Sequence, residues 1–379
     1  MEVVGLFSDK KNVRVVKFRG HRALIYMKHD DYFGAGYIPD LNFFIPNMPK
    51  LQYAIGYSVD FEGERLIIHN RLSKKAEPFE GRNVRAFYKL DGFNLLAYEF
   101  DGDVIYKTRK NPEAGKNIRK VIDDEAFPRE NIEEMVRAGY IPVMEVWGPK
   151  LREFNIMYGG TDVEKLAEVL GLEGDLFVHV IAVREFDNER FHPFLHPRDA
   201  MHVAKFFGLD FAPVYSVIRM RSDEVIRVMA ELEEENQRFG RAVYEGVVIH
   251  AGAGVMLKVK PFSVMFRDVL AGERPTRSRI LREASKALLE RDFLTAGREF
   301  EGVVEEVLSY LAEDYKITRE IVKSVREVVA EYIADGLVRE GFTDPRGLGI
   351  EGVHGKVIGY VVRRARQYSQ GEAVASVQE

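Results

Sequence analysis

The chain has 379 residues, 46% hydrophobic and 30% charged, a globular composition that excludes disorder, a collagen-like rod and a mucin-like stalk. With no cysteine, a disulfide framework, a Cys-ligated zinc or iron–sulfur site and a cysteine nucleophile are all excluded. Lys+Arg total 55 against 60 Asp+Glu, a formal charge of −5, so any nucleic-acid surface must be local rather than global.

Length predicts two or three domains. No run approaches the roughly 18 apolar residues of a membrane span. The start, MEVVGLFSDKKNV, lacks a basic segment followed by an apolar one, so a cytoplasmic location is expected. Abundant Glu, Lys and Arg with only five Gln suggest a thermophile.

In chain order, residues 1–62 read as a small N-terminal domain. Its short β-like runs, Val13–Phe18 and Ala23–Met27, are separated by turn clusters at Gly34-Ala35-Gly36 and Pro46–Pro49. Residues 63–262 are strand-rich, with runs at Arg65–His69, Val84–Tyr88, Asn94–Phe100 and Val104–Thr108. Asp101-Gly102 between the last two is a two-residue hairpin signal. Helices are expected at 130–138, Asp199–Phe207 and Ser222–Phe239, and strands at Ile141–Val146, Leu176–Val183, Tyr244–His250 and Val255–Val259. After Pro261 the apolar period becomes helical: Ile280, Ala284, Ala287 and Leu288, then Phe300 to Leu311, then Ile317 to Tyr332 and on to Gly336. We divide this part into a helical dimerisation domain, 263–313, and a C-terminal helical domain, 314–379. Helices this apolar call for a partner surface, so a homodimer is expected.

From Lys258 to Lys286 there are eight basic and three acidic residues, and Lys356, Arg363, Arg364 and Arg366 follow without an acid between 352 and 371. A solvated helix face and a phosphate-tracking surface both fit such runs.

Chemistry concentrates in a few short runs. In Lys89-Leu90-Asp91-Gly92-Phe93-Asn94, a lysine among apolar neighbours is partly desolvated, which lowers its pKa and frees the amine as a nucleophile. Asp91 lies on the same side of an extended segment and could recruit a metal, and Gly92 permits tight passage into the next strand. Met144-Glu145-Val146-Trp147-Gly148 buries a carboxylate in an apolar strand, which is costly without a partner. Glu245-Gly246-Val247-Val248-Ile249 repeats that arrangement. Leu257-Lys258-Val259-Lys260 places two lysines on one strand face, favourable only with an anion such as a nucleotide phosphate between them.

In this order and spacing the runs resemble the covalent nucleotidyltransferase superfamily of polynucleotide ligases and capping enzymes: KLDG as motif I, Thr108-Arg109 as Ia, MEVWG as III, EGVVI as IV and LKVK as V. Within it, Asn94 and the helical segment after motif V look most like the homodimeric archaeal ATP-dependent RNA ligases. The resemblance implies an α+β fold: an ATP-grasp-like domain of antiparallel sheets with flanking helices, a small N-terminal domain and a helical C-terminal region. It implies an ATP-dependent RNA ligase that joins 5′-phosphate and 3′-OH ends through a lysyl–AMP on Lys89, with ATP as AMP donor and Mg²⁺. Lys89, Glu245 and Lys258 would be catalytic. ATP would meet Lys89, Leu90, Arg109, Glu145, Lys258 and Lys260, with Phe177 or His179 stacking on adenine. Asp91, Glu145 and Glu245 would serve the metal. RNA would meet Asn94 and Arg109, and the Arg363-Arg364-Arg366 cluster is expected near it. A DNA ligase, a guanylyltransferase or a non-catalytic RNA-binding adaptor are the alternatives.

His192, His196 and His202 are set aside as a zinc site, because Pro193 and Pro197 interrupt the required helix. Trp147 reads as core.

Overall fold

The computed structural model describes residues 3–8, 10–28, 30–62, 65–154, 156, 160–186, 192–252, 254–264, 275–289, 291–312, 315, 317–342 and 351–369, and their side chains except at 3–4, 10, 57–70, 278 and 366–369. The chain forms two compact units, one of Met1–Ala114, Ile122–Lys150 and Tyr158–Met265, the other of Gly115–Val121, Leu151–Met157 and Phe266–Glu379.

The first unit begins with β1 (Val13–Phe18), β2 (His21–Tyr26), β3 (Gly36–Ile38) and β4 (Phe43–Ile45), an antiparallel four-stranded sheet. Next come β5 (Gln52–Tyr53), β6 (Ile55–Glu62), β7 (Arg65–Leu72), β8 (Asn83–Tyr88), β9 (Phe93–Phe100) and β10 (Asp103–Lys107). Helix α1 (Lys116–Ile122), all but its last residue in the second unit, and α2 (Arg129–Arg137) precede β11 (Tyr140–Trp147), then α3 (Val163–Val169), β12 (Phe177–Glu185), α4 (Pro197–Phe206) and β13 (Val214–Arg219). Helix α5 (Ser222–Phe239) leads to β14 (Val247–Gly252) and β15 (Val255–Val259). A second sheet runs β10-β9-β11-β12, a third β13-β8-β14-β15-β5, and β6-β7 is a hairpin. All pairings are antiparallel except β15 with β5. The α+β class with antiparallel sheets is therefore as expected.

Local chemistry explains the boundaries. Asp101 and Gly102 take φ of 54° and 79°, turning β9 into β10. Helix α5 stops at Gly240 in the left-handed region, a glycine C-cap. Strand β14 begins at Val247 rather than at Tyr244, because Gly246, at φ 146°, breaks the extended path. Glu245 thus sits on a loop and not inside a strand.

Two cores hold the site. Phe18, Ile25, Ile38 and Ile45 from the first sheet pack with Leu96, Tyr98, Phe100 and Ile105 of the second in one cluster. Another joins Ala86, Ile249 and Leu257 of the third sheet to Val225, Val228 and Leu232 of α5, and includes Leu90, Trp147 and Phe177. The N-terminal residues therefore share a core with the strands that follow them.

The second unit contains α6 (Arg277–Leu288), α7 (Phe293–Arg298), α8 (Phe300–Leu311), α9 (Arg319–Arg339) and α10 (Gly355–Ser369). One core runs from Ile280 to Val361 across all five. Helix α9 continues past Gly336 because the Phe293 ring fills the space of the missing side chain: a Cβ there would lie 2.3 Å from ring atoms. The apolar stripes of α8 and α9 are buried against their own chain, with Val303, Val307, Val325 and Ile333 fully enclosed. They are enclosed without a second copy, so these stripes do not by themselves call for a homodimer. The basic run is also absorbed: Glu283, 1% exposed, is ringed by Arg279, Arg282 and Lys286, and Arg277 pairs with Glu331. Arg267 and Arg274 lie outside the described residues. Among the described residues no helix is long and apolar enough to cross a membrane.

Candidate active site

The site forms where β8 and the loop before β14 abut. The Lys89 N–H donates to the Gly246 carbonyl at 2.9 Å, which fixes the two loops side by side. Gly246 is needed twice over: its φ is positive, and a Cβ would lie 2.1 Å from the Val259 carbonyl oxygen. Across this contact the Lys89 ammonium bonds Glu245 Oε2, while Lys260 Nζ donates to Glu245 Oε1 at 2.7 Å. One largely buried carboxylate thus bridges two lysines, 156 and 15 residues from it in sequence.

Opposite lies a second network. Strand β11 pairs with β9 so that Glu145 faces Asn94. Glu145 accepts from the Gly92 N–H at 3.1 Å and from the Asn94 side-chain amide. Asn94 Oδ1 in turn accepts from Arg109 at 3.0 Å, and Arg109 also donates to the Pro49 carbonyl at 3.3 Å. Asp91 turns elsewhere: its Oδ2 accepts from the Thr161 hydroxyl at 2.5 Å and the Thr161 N–H at 3.2 Å. Gly92 makes the close approach possible, since a Cβ would lie 2.0 Å from the Val146 carbonyl oxygen.

Electrostatics reverse one expectation. Burial does favour the neutral amine of Lys89, but Glu245, Glu145 and Asp91 together outweigh it and raise the pKa above the ordinary lysine value. Lys89 is therefore held as an ammonium in this arrangement, not as a free amine. Burial would raise Glu245, yet Lys260 and Lys89 hold it well below the usual carboxylate range. Glu145 is pushed up to about 8, first by burial and then by Glu245 and Asp91, against the opposing pull of Lys89 and the Gly92 N–H. Burial lowers Arg109, with Glu145 opposing.

The remaining candidates divide. Lys260 joins the Glu245 bridge, whereas Lys258 lies over the Tyr53 ring at 4.1 Å, so the two lysines have different partners. Tyr53 arrives through the parallel β5–β15 pairing, and nothing in its sequence neighbourhood marks it. The Leu90 side chain is packed in the core. Phe177 and His179 both turn onto Trp147, with ring centroids 4.8 and 5.8 Å away, and the indole N–H donates to His179 Nδ1 at 3.0 Å. Trp147 is core, as read. Burial, only partly offset by Asp210, lowers His179 to about 4.

In the helical unit, Arg363 is exposed and lies over the Tyr360 ring at 4.0 Å. Arg364 instead pairs with Asp335 at 2.8 Å, and the Arg366 side chain lies outside the described residues.

Lys107 is a buried cation that sequence reasoning passed over. It donates to the Gly34 and Pro46 carbonyls at 2.9 Å each. Its inward position next to an aromatic in β10 was the available signal. Thr161, 70 residues from Asp91, carried none.

Among the described residues no three His, Asp or Glu side chains converge into a ready metal cage. Asp91, Glu145 and Glu245 are nonetheless hard oxygen donors that all act on the same ammonium. That donor chemistry suits a divalent ion held largely through its own waters.

No protein-family model matches the chain, and no curated protein matches it. Solved structures do. One, described as an archaeal ATP-dependent RNA ligase in its second form, is 15% identical, with a TM-score of 0.48, over 97% of this chain and 95% of that one. A putative ATP-dependent DNA ligase from Aquifex aeolicus is 14% identical, with a TM-score of 0.44, over 90% and 79%. A Naegleria gruberi RNA ligase variant with ATP and Mn is 12% identical, with a TM-score of 0.37, over 67% and 75%.

Proposed function

We propose that this protein is an ATP-dependent RNA ligase that works through a lysyl–AMP on Lys89. The observation that carries this reading is the Glu245 bridge between Lys89 and Lys260, with Glu145 and Asp91 acting on the same ammonium. Four separate sequence runs meet there around one half-buried lysine. A structural role alone needs no such concentration of buried charge, since a lysine ringed by carboxylates is costly to assemble.

Each residue has a task in this reading. Glu245 aims the Lys89 side chain and stores it as an ammonium. The incoming triphosphate draws Lys260 and Lys258 toward its oxygens, which loosens Lys260 from Glu245. A divalent ion bound through water at the carboxylates would add positive charge that disfavours the ammonium. Lys89 then gives up its proton and attacks the α-phosphorus, and pyrophosphate leaves as the N–P bond forms. Arg109, held by Asn94 and Pro49, offers its remaining donors to the ribose or an RNA end. In the second step an RNA 5′-phosphate oxygen displaces Lys89 from the AMP. In the third an RNA 3′-OH displaces AMP, leaving a phosphodiester. Lys258 and Lys260 stabilise charge developing on the phosphate.

The test is incubation with α-labelled ATP and Mg²⁺, followed by a denaturing gel. A labelled band in the wild type that is absent in Lys89→Ala is expected. Label from GTP alone would replace the ligase with a guanylyltransferase, and no band with either nucleotide would sink the nucleotidyl-transfer reading. Joining of 5′-phosphorylated RNA but not of nicked duplex DNA is the expected substrate preference.

A further inference from the structure

Tyr88 and Tyr244 each directly precede an active-site residue, and their side chains serve a different place. The two rings stack at 5.8 Å with 22° between planes, and Tyr215 of β13 meets Tyr88 edge-on at 5.4 Å. These rings face a space against α5 whose lining includes neither Lys89 nor Glu245. Between them and α5 is a cavity of about 330 Å³, lined by Tyr88, Tyr215, Tyr244, Leu232 and three glutamates, Glu231, Glu234 and Glu235.

The wall has one electrostatic character. Glu231 accepts from the Tyr215 hydroxyl at 2.8 Å and has Arg227 at 3.7 Å, while Arg227 itself sits closer, 2.5 Å, to Glu224. Glu235 pairs with Arg238 at 3.0 Å. Glu234 forms no hydrogen bond or ion pair among the described residues. Tyr244 is 7% exposed, and its hydroxyl likewise finds no hydrogen-bond partner among them.

Three observations narrow the ligand. Carboxylates on the rim repel phosphates and other anions. The absence of a three-ligand cluster among the described residues argues against a bare metal ion. Aromatic faces attract organic cations, and glutamates three and four residues apart on one helix are about 5–6 Å from each other, the separation of ammonium groups along a short alkyl chain. We propose that this cavity is a binding site for a small linear polyamine, its methylenes over the tyrosine rings, one ammonium group at Glu231 and another one turn along α5, at Glu234 or Glu235 and the Tyr244 hydroxyl. The inference is independent of the ligase reading.

Calorimetric titration of the full chain with spermidine at fixed ionic strength tests it. Saturable one-site binding is expected, with Mg²⁺ at the same ionic strength unable to displace it. The Glu234→Gln, Glu235→Gln double variant should bind about tenfold more weakly. Tyr244→Leu, which keeps the carboxylates, should bind about threefold more weakly. Circular dichroism guards against unfolding, and exposed Glu234→Gln alone replaces any variant that fails to fold. Non-saturable heats, stoichiometric competition by Mg²⁺, or unchanged affinity in folded variants would overturn the proposal.

Discussion

Gly92→Ala probes the point where fold and chemistry meet. The added methyl would stand 2.0 Å from the Val146 carbonyl oxygen and 2.7 Å from Trp147 Cβ. Both belong to β11, a strand held between β9 and β12 in a four-stranded sheet, so neither can swing aside as a flexible side chain could. Restoring even a 3.0 Å separation requires the two strands to part by about 1 Å. The neighbouring residue is Glu145, whose bond to the Gly92 N–H would be the first lost. Overpacking of this kind costs about 1–3 kcal/mol, and a 1 Å displacement of a reacting group costs about 100-fold in rate. The assays are the urea midpoint and the single-turnover rate of lysyl–AMP formation. Gly359→Ala in α10, where a Cβ meets nothing within 4 Å, is the control and should be neutral or stabilise by up to about 1 kcal/mol. A Gly92→Ala protein with the wild-type midpoint and a rate within about twofold would refute the reasoning.

Other outcomes follow from the same contacts. Lys89→Ala should form no adduct yet remain folded, at a cost of about 2 kcal/mol, because Glu245 keeps Lys260 at 2.7 Å; an adduct at the normal level excludes Lys89 as nucleophile. Buried His179 and His250, lowered to about 4 and about 3 mainly by burial, are neutral in the fold. Their folded values lie below the unfolded value, so their contribution is complete above pH ~6.5 and falls toward pH 4 by about 1.4 kcal/mol per group per unit. Urea midpoints at pH 7 and pH 5 should differ accordingly, and His250→Gln should flatten the slope; a slope unchanged in that variant contradicts the assignment. Gly336→Ala, with its Cβ 2.3 Å from the Phe293 ring, should lower the melting temperature of the helical unit, and no shift would mean that ring is mobile. Arg363→Ala should reduce the salt slope of RNA binding by about one, whereas Arg364→Ala should mainly destabilise by leaving half-buried Asp335 unpaired; equal salt slopes for wild type and Arg363→Ala remove that arginine from the RNA surface.

The sequence by itself determined what depends on near neighbours. Strand alternation and the Asp101-Gly102 turn located β9 and β10, and the apolar period located α6, α8 and α9, because those signals are set within a few residues. Chemical type was equally legible: Lys89, Asp91, Glu145 and Glu245 stand out as charges embedded in apolar runs. Tertiary structure alone decided their partners. Local sequence could weigh the desolvation of Lys89 but not the three carboxylates that override it, and so it gave the wrong direction for the ammonium. The burial of the α8 and α9 stripes, the pairing of Arg364 with Asp335 and the seat of Lys258 on Tyr53 have the same origin. Each is a contact between residues far apart in the chain, and the free energy of a charge or an apolar face depends on what finally surrounds it.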